Sequence, residues 1–361
     1  MQVFHLSHID LDGYGCQYVA REFFDNIRFF NANYGKEITA RLNAILNAIQ
    51  NSQESRLQEK FRTKIASKYL ILITDLNLSL QEAKYLQEKV DMMRLEGKDI
   101  EICLLDHHIS GEASAKIFHW YHLDTQRCAT KITFETLLTK YKLRNPAFEP
   151  TLKLIVEMIN SIDIWQEEGF GFEFGKVAMS MIASSNELNR FMFDTAYHDY
   201  KLKLLDNIQH YIHLPHGEVA FDNAIHEAKK LALGGDPKTQ TMDNITSLAQ
   251  VQLLESKKPT CTIQYQDKKG FLSYSMGGIS VLANLFLRRN PEYDFYIDVN
   301  FKGNVSLRAN GNCDVNALSK ECFNGGGHKN ASGGRIEGFR ESFLYEDIKE
   351  QVLKALKSTK E

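Results

Sequence analysis

"KYLILITDLNLSLQEAKYLQEKVDMMRLEGKDIEICLLDHH", residues 68–108, decides the fold. It opens with "KYLILITDL", a continuous apolar run of the kind found in a strand covered on both faces. Ser79 and Glu82 follow in capping-box spacing and open a helix that should end near Gly97. "DIEICLLD" then reads as a second strand. A strand, a helix and a strand in this order form one unit of a parallel α/β sheet. The first strand stops on Asp75, and the second on Asp106, His107 and His108. Such residues at the end of a buried strand need partners from elsewhere in the chain.

The same alternation runs upstream. "QVFHLSH" is a strand candidate, followed by helical spacing through "YGCQYVAREFF". Residues 36–62 are polar and amphipathic and read as an inserted helical hairpin or one long helix. From about 186 to 233 the pattern is helical and charged, ending at "LGGDP", a plausible connector. Beyond it "PTCTIQYQ", "YDFYIDVNF" and "NVSLRAN" look like strands, "GGISVLANLFLRR" and "NALSKEC" like helices. A Gly-rich "NGGGHKNASGGRI" and a terminal amphipathic helix complete the chain. The expectation is an α/β protein: a parallel-sheet domain over 1–185, a helical linker over 186–235, and a smaller mixed α/β domain over 236–361.

The 361 residues exceed one ordinary core, and 43% hydrophobic with 25% charged residues is a globular composition. No apolar run approaches the roughly 18 residues of a membrane helix. The start "MQVFHLSHID" lacks the basic and apolar regions of a signal peptide, so a cytoplasmic location is expected. Six scattered cysteines without a CxxC pair read as reduced thiols. A net charge of −3 argues against a groove for long nucleic acid, which normally carries a basic face.

Three strand ends carry the chemistry. "LSHIDLDG" sets His8, Asp10 and Asp12 at alternate positions, which converge if the segment is extended. Asp75 ends the next strand; Asp106, His107 and His108 end the third. Ligands of open α/β sheets sit at the carboxyl ends of strands. Four carboxylates crowded there repel one another unless a cation lies between them. Oxygen and imidazole donors without thiolate suit Mn²⁺, with Mg²⁺ or Co²⁺ behind it.

"SHIDLDG", "ILITDL", "LLDHH", "NSIDIW" and "GGGHKNASGG", in this order, resemble the DHH phosphoesterase superfamily with its DHH-associated C-terminal domain. The compact start "SHIDLDGYGC" is most similar to the nanoRNase branch, and its spacing argues against the family's pyrophosphatases. The resemblance implies that His8 and Asp10 bind a first Mn²⁺ and Asp12 a second. Asp75 would bridge both, with His107 and Asp163 completing the second ion. It further implies that His108 faces the substrate phosphate, and that Asp106 holds a histidine in its tautomer. Arg308 would grip phosphate, as would His328 beside Gly325, Gly326 and Gly327, whose N–H groups can meet an anion.

Two ions about 3.5–4 Å apart can activate a water for in-line attack at phosphorus. Asp75, His108, Arg308 and His328 are therefore the expected catalytic groups, and hinge closure of a cleft between the domains an expected part of turnover. The substrate expectation is a very short oligonucleotide, RNA or DNA, cut to mononucleotides. Alternatives within the same chemistry are 3′-phosphoadenosine 5′-phosphate, linear or cyclic dinucleotides and RecJ-like degradation of single strands. A catalytically silent nucleotide-binding regulator is the alternative of another class; it would favour degenerate ligands, and here every expected ligand is present. Trp165 could stack on a base or pack between the domains. Thr130 is expected to cap a helix near the site. A homodimer stays open.

Overall fold

The computed structural model describes residues 1–51 and 68–357. Among them the chain divides into two compact units. One comprises Met1–Ser185 with His198–Ala228, the other Asn186–Tyr197 with Lys229–Glu361.

The first unit is built on a five-stranded, wholly parallel sheet: β1 (Gln2–Ser7), β2 (Ile27–Asn31), β3 (Lys68–Thr74), β4 (Asp99–Asp106) and β5 (Tyr121–Leu123). The order β2-β1-β3-β4-β5 puts β1 and β3 side by side, with Ser7 opposite Thr74. β3 and β4 are the next pair, with Thr74 opposite Leu105. The ends of these three strands therefore lie next to one another, which fixes the place of any site built from them. β3 is apolar and buried from Tyr69 to Thr74 because helices cover both faces. Phe4, Leu6, Ile71, Ile73, Ile102 and Leu104 pack there with the helices Lys36–Asn51 and Leu80–Leu95.

The expected capping box is present: the Ser79 hydroxyl accepts from the Glu82 N–H, and the Glu82 carboxylate accepts from the Ser79 N–H. In the 36–62 segment, Lys36–Asn51 is one helix whose Ile38, Leu42, Ile45 and Ile49 face the core; the rest lies outside the described residues. β2 and β5 escape the sequence reading because both are short, and β2, with Phe29 and Phe30 adjacent, shows no clean alternation.

The second unit holds a six-stranded mixed sheet of order β10-β11-β9-β8-β7-β6. Its strands are β6 (Thr262–Tyr265), β7 (Lys268–Tyr274), β8 (Phe295–Val299), β9 (Asn304–Ala309), β10 (Gly326–His328) and β11 (Ala331–Arg335). β7 and β8 are parallel, joined through the helix Ile279–Arg289; the other neighbours are antiparallel. The Gly-rich stretch is thus a hairpin at a sheet edge rather than a free loop. A Cβ on Gly325 would stand 2.0 Å from the Gly333 carbonyl oxygen, so the tight return excludes any side chain there.

Among the described residues no helix is long and apolar enough to cross a membrane.

Candidate metal centre

His8, Asp10 and Asp12 do meet near one place, but not by extended alternation. Asp10 is the N-cap of the helix Leu11–Ala20; its carboxylate accepts from the Gly13 N–H at 3.0 Å. Asp12 is therefore already inside the first helical turn. The switch from strand to helix swings it away from Asp10 and into a different group of ligands. The helix starts this early because Asp10 satisfies one of its free N–H donors, a stronger local signal than period-two spacing.

Three groups of donors emerge, in each of which the ligand atoms lie within 4.8 Å of one another: His8, Asp10 and Asp75; Asp12, His107 and Asp163; and Asp75, His107 and His108. Asp75 connects them. Its Oδ2 stands 3.7 Å from His8 Nδ1, and its Oδ1 stands 3.4 Å from His107 Nε2. One carboxylate thus turns one oxygen to each side. The backbone makes this possible: Asp75 has φ of 55°, a left-handed conformation that Asp adopts more readily than most residues, and its N–H is tied to the Leu105 carbonyl at 3.1 Å.

His107 Nε2 is 3.7, 3.4 and 3.6 Å from carboxylate oxygens of Asp12, Asp75 and Asp163. These separations are too long for hydrogen bonds. They do suit donors around a common ion, since ligands about 2.1 Å from one centre stand roughly 3–3.5 Å apart. Asp75 Oδ2, wholly buried, has no hydrogen-bond partner among the described residues, a costly state that a cation relieves. Burial and then the charges of Asp12 and Asp10 push Asp75 well above the carboxylate range. The same causes, in the same order, raise Asp163 to about 9. The donor set fits a pair of divalent ions: His8, Asp10 and Asp75 on one side, Asp75, Asp12, His107 and Asp163 on the other.

Asp12 is held by a device that spacing alone does not reveal. Its two carboxylate oxygens accept from the N–H groups of Ala129 and Thr130, both at 2.7 Å, at the start of the helix Ala129–Lys140. That helix has no side-chain cap of its own. Thr130 is not the cap expected from the sequence; its hydroxyl donates to the Asp12 carbonyl at 2.8 Å. The carboxylate from the other segment thus caps the helix and satisfies two of its free N–H donors.

Asp106, fully buried, accepts from His108 Nδ1 at 2.7 Å and from the Tyr121 hydroxyl at 2.7 Å. It thereby orients His108 and raises its pKa. The imidazole so fixed presents Nε2, which meets the Tyr34 hydroxyl at 3.0 Å. Tyr34 also lies against His8, with ring centroids 4.6 Å apart. Sequence reasoning missed Tyr34, because it follows the short strand β2, which carries no clear period of its own. Asp163 is the last residue of the helix Glu149–Asp163, so "NSIDIW" marks a helix end.

In the second unit Arg308 is on β9, Ala331 on β11 and His328 on β10, and the register places them in one row. Residues paired across antiparallel strands share a face, so Arg308 and His328 stand on the same side, two strand spacings or about 9.6 Å apart. Arg308 Nη2 donates to the Ser280 hydroxyl at 2.8 Å, beside Gly277 and Gly278 at the start of the helix Ile279–Arg289. The N–H of Gly327 is already given to Asn316 Oδ1 at 3.0 Å and that of Gly325 to the Ser319 carbonyl at 3.1 Å. Gly327 and His328 are exposed, while Gly326 is half-buried.

No family model matches the chain. It is 60% identical over 352 residues to a Helicobacter pylori (strain ATCC 700392 / 26695) protein named 3′,5′-cyclic-nucleotide phosphodiesterase, covering 98% of each. It is 26% identical over 338 residues to oligoribonuclease NrnB of Bacillus subtilis (strain 168), covering 92% of this chain and 72% of that one. The crystal structure of an uncharacterized protein from Helicobacter pylori G27 superposes with a TM-score of 0.90 at 61% identity over 99% of both chains. With the ordered DHH motifs, these relatives identify the chain as a member of the DHH phosphoesterase superfamily.

Proposed function

We propose that the chain is a two-metal phosphodiesterase acting on small nucleotide phosphodiesters, with 3′,5′-cyclic nucleotides as the first substrate class. It is a hydrolase of phosphoester bonds, acting on nucleotides. The observation that carries the two-metal reading is Asp75, whose two oxygens face two separate donor groups. The relative at 60% identity over nearly the whole chain favours the cyclic substrate over the short oligonucleotide. The oligonucleotide stays as the second reading, on the more distant relative and the near-neutral charge.

Mn²⁺ is the proposed ion, with Mg²⁺ or Co²⁺ able to replace it. A bound pair would lower the pKa of a water and neutralise the nonbridging phosphate oxygens. The chain supplies the rest. Asp75 holds the two donor groups in fixed relation. Asp12, locked by Ala129 and Thr130, cannot swing away when a substrate anion arrives. His108, oriented by Asp106, directs Nε2 toward the position for a phosphate oxygen, and its raised pKa favours the form that donates there. In the second unit Arg308 and His328 are the proposed phosphate contacts, with Gly326 and Gly327 allowing close approach.

The test is an assay of the purified chain with Mn²⁺, Mg²⁺ or Co²⁺ on 3′,5′-cyclic AMP, on an end-labelled ladder from two to twenty-four nucleotides, and on 3′-phosphoadenosine 5′-phosphate. Turnover of cyclic AMP, lost by orders of magnitude in Asp75→Ala, supports the proposal. Preference for dimers to pentamers moves it to the second reading. Preference for the 24-mer, or binding of nucleotides without hydrolysis under any metal, rejects it.

A further inference from the structure

Trp165 follows Asp163 by two residues, so its Cα lies within about 7 Å of the Asp163 Cα. Its backbone has φ of 55°, a conformation that bulky residues rarely adopt. The chain fixes it there: the Trp165 N–H donates to the Ile162 carbonyl at 3.3 Å, and the Gln166 N–H to the Ser161 carbonyl at 2.7 Å. The indole is oriented as well. Its Nε1 donates to Glu167 Oε1 at 3.1 Å, and its ring meets Phe172 edge-on at 5.4 Å. Despite all this the side chain is 62% exposed, the highest value for a large aromatic among the described residues. Core packing gives no reason for strain that holds an indole in solvent.

Beside it lies a cavity of about 790 Å³, lined by Trp165, Phe170, Phe172 and Leu214 and rimmed by carboxylates including Glu167 and Glu168. That size suits a small organic ligand. The only cationic residue of its lining, Lys176, is paired with Glu173 at 3.1 Å. The occupant therefore needs a flat face for the indole and N–H donors for the carboxylates, and must leave any phosphate outside. An amino-bearing nucleobase (adenine, cytosine or guanine) has these properties, whereas uracil turns two carbonyl oxygens toward the acidic rim.

We propose that the Trp165 cavity is the nucleobase subsite of this phosphodiesterase, stacking the base on the indole and reading its amino group with Glu167 and Glu168. This rests on the function proposed above. The phosphate stays at the metal centre, the base enters the cavity, and the carboxylates repel a second phosphate that would follow the base inward. Short or cyclic nucleotides fit that division; long strands do not.

Two measurements test it. In the first, kcat/KM is compared on 3′,5′-cyclic AMP or the dinucleotide ApA and on methyl p-nitrophenyl phosphate, which has no base. Trp165→Ala should lower the ratio of nucleotide to base-free turnover about tenfold to a hundredfold, through KM, with Trp165→Phe retaining most of it. Glu167→Gln with Glu168→Gln should bring the adenine and uracil substrates to equal rates. In the second, independent of turnover, AMP should quench tryptophan fluorescence of the wild type, UMP less and ribose 5-phosphate not at all. The signal should vanish in Trp165→Phe, because the other tryptophan, Trp120, is buried. Equal loss on both substrate types, or no quenching by AMP, overturns the proposal. AMP quenching in a wild type that hydrolyses none of these esters would reject the phosphodiesterase reading while leaving the base subsite standing.

Discussion

Replacing Asp75 by Asn removes an ionisable carboxyl from the centre while keeping shape and backbone, since Asn also accepts the left-handed conformation that Asp75 occupies. The ligand atoms of Asp75 and Asp10 lie within 4.8 Å, where two like charges repel by about 3 kcal/mol at an effective dielectric near 20. Without metal Asp75 relieves part of this by holding a proton, which its burial favours first and the charges of Asp12 and Asp10 next. About 1 kcal/mol of net gain is then expected for the metal-free Asn variant, or roughly 2–4 °C in Tm for a unit of this size. With ions the sign reverses. Wild type at a hundredfold excess of Mn²⁺ over its Kd gains about 2.7 kcal/mol, some 5–10 °C. The Asn variant loses the shared ligand of both donor groups and should shift by no more than about 2 °C. Thermal unfolding in a chelator and in Mn²⁺, for both proteins, measures the four values. A lower metal-free Tm in the variant would make Asp75 a structural turn residue, and a full Mn²⁺ shift would show that it is no ligand; either refutes the reasoning.

Asp106→Asn weakens the bond to His108 Nδ1 and removes the charge that helps raise the imidazole, so the limb of the pH–rate profile set by protonated His108 should move to lower pH. Tyr34→Phe, which removes only the hydroxyl at His108 Nε2, should change kcat by less than about tenfold, against roughly 10²–10⁴ for His108→Ala. Thr130→Ala should cost about 1 kcal/mol in urea unfolding through its lost bond to the Asp12 carbonyl, a smaller effect than Asp12→Ala, which leaves two N–H donors of the helix Ala129–Lys140 without an acceptor. Asp163 has a folded pKa near 9, raised above the unfolded value, so the folded metal-free protein holds a proton there that the unfolded chain releases. Its contribution is present below about pH 4 and is lost as pH rises to 9. Metal-free Asp163→Asn should therefore gain stability over wild type as pH increases from 5 to 8, and a chemical denaturation series in chelator reads the difference.

The parallel sheet was legible because β3 and β4 are continuous apolar runs separated by a properly capped helix. β2 was not, since "IRFFN" has too few residues for a period to emerge and becomes a strand by pairing with β1. In the site, the identities of the donors came through at the strand ends, while their grouping was implied by the family resemblance and not by spacing. Whether Asp12 joins Asp10 depends on where the first helix starts, and that is decided by one cap bond at Gly13. The lock on Asp12 by Ala129 and Thr130 spans more than a hundred residues of sequence and leaves no local pattern. The Gly-rich hairpin reads as a loop because glycine weakens every strand signal, and only its pairing with β9 through β11 makes it a sheet edge.

The most direct test of the central claim is X-ray diffraction at the manganese edge from crystals grown with Mn²⁺. Two anomalous peaks about 3.5–4 Å apart are expected on either side of Asp75, one against His8 and Asp10, the other against Asp12, His107 and Asp163. A single peak that leaves one of these groups without an ion, or no peak at Asp75, would contradict the account.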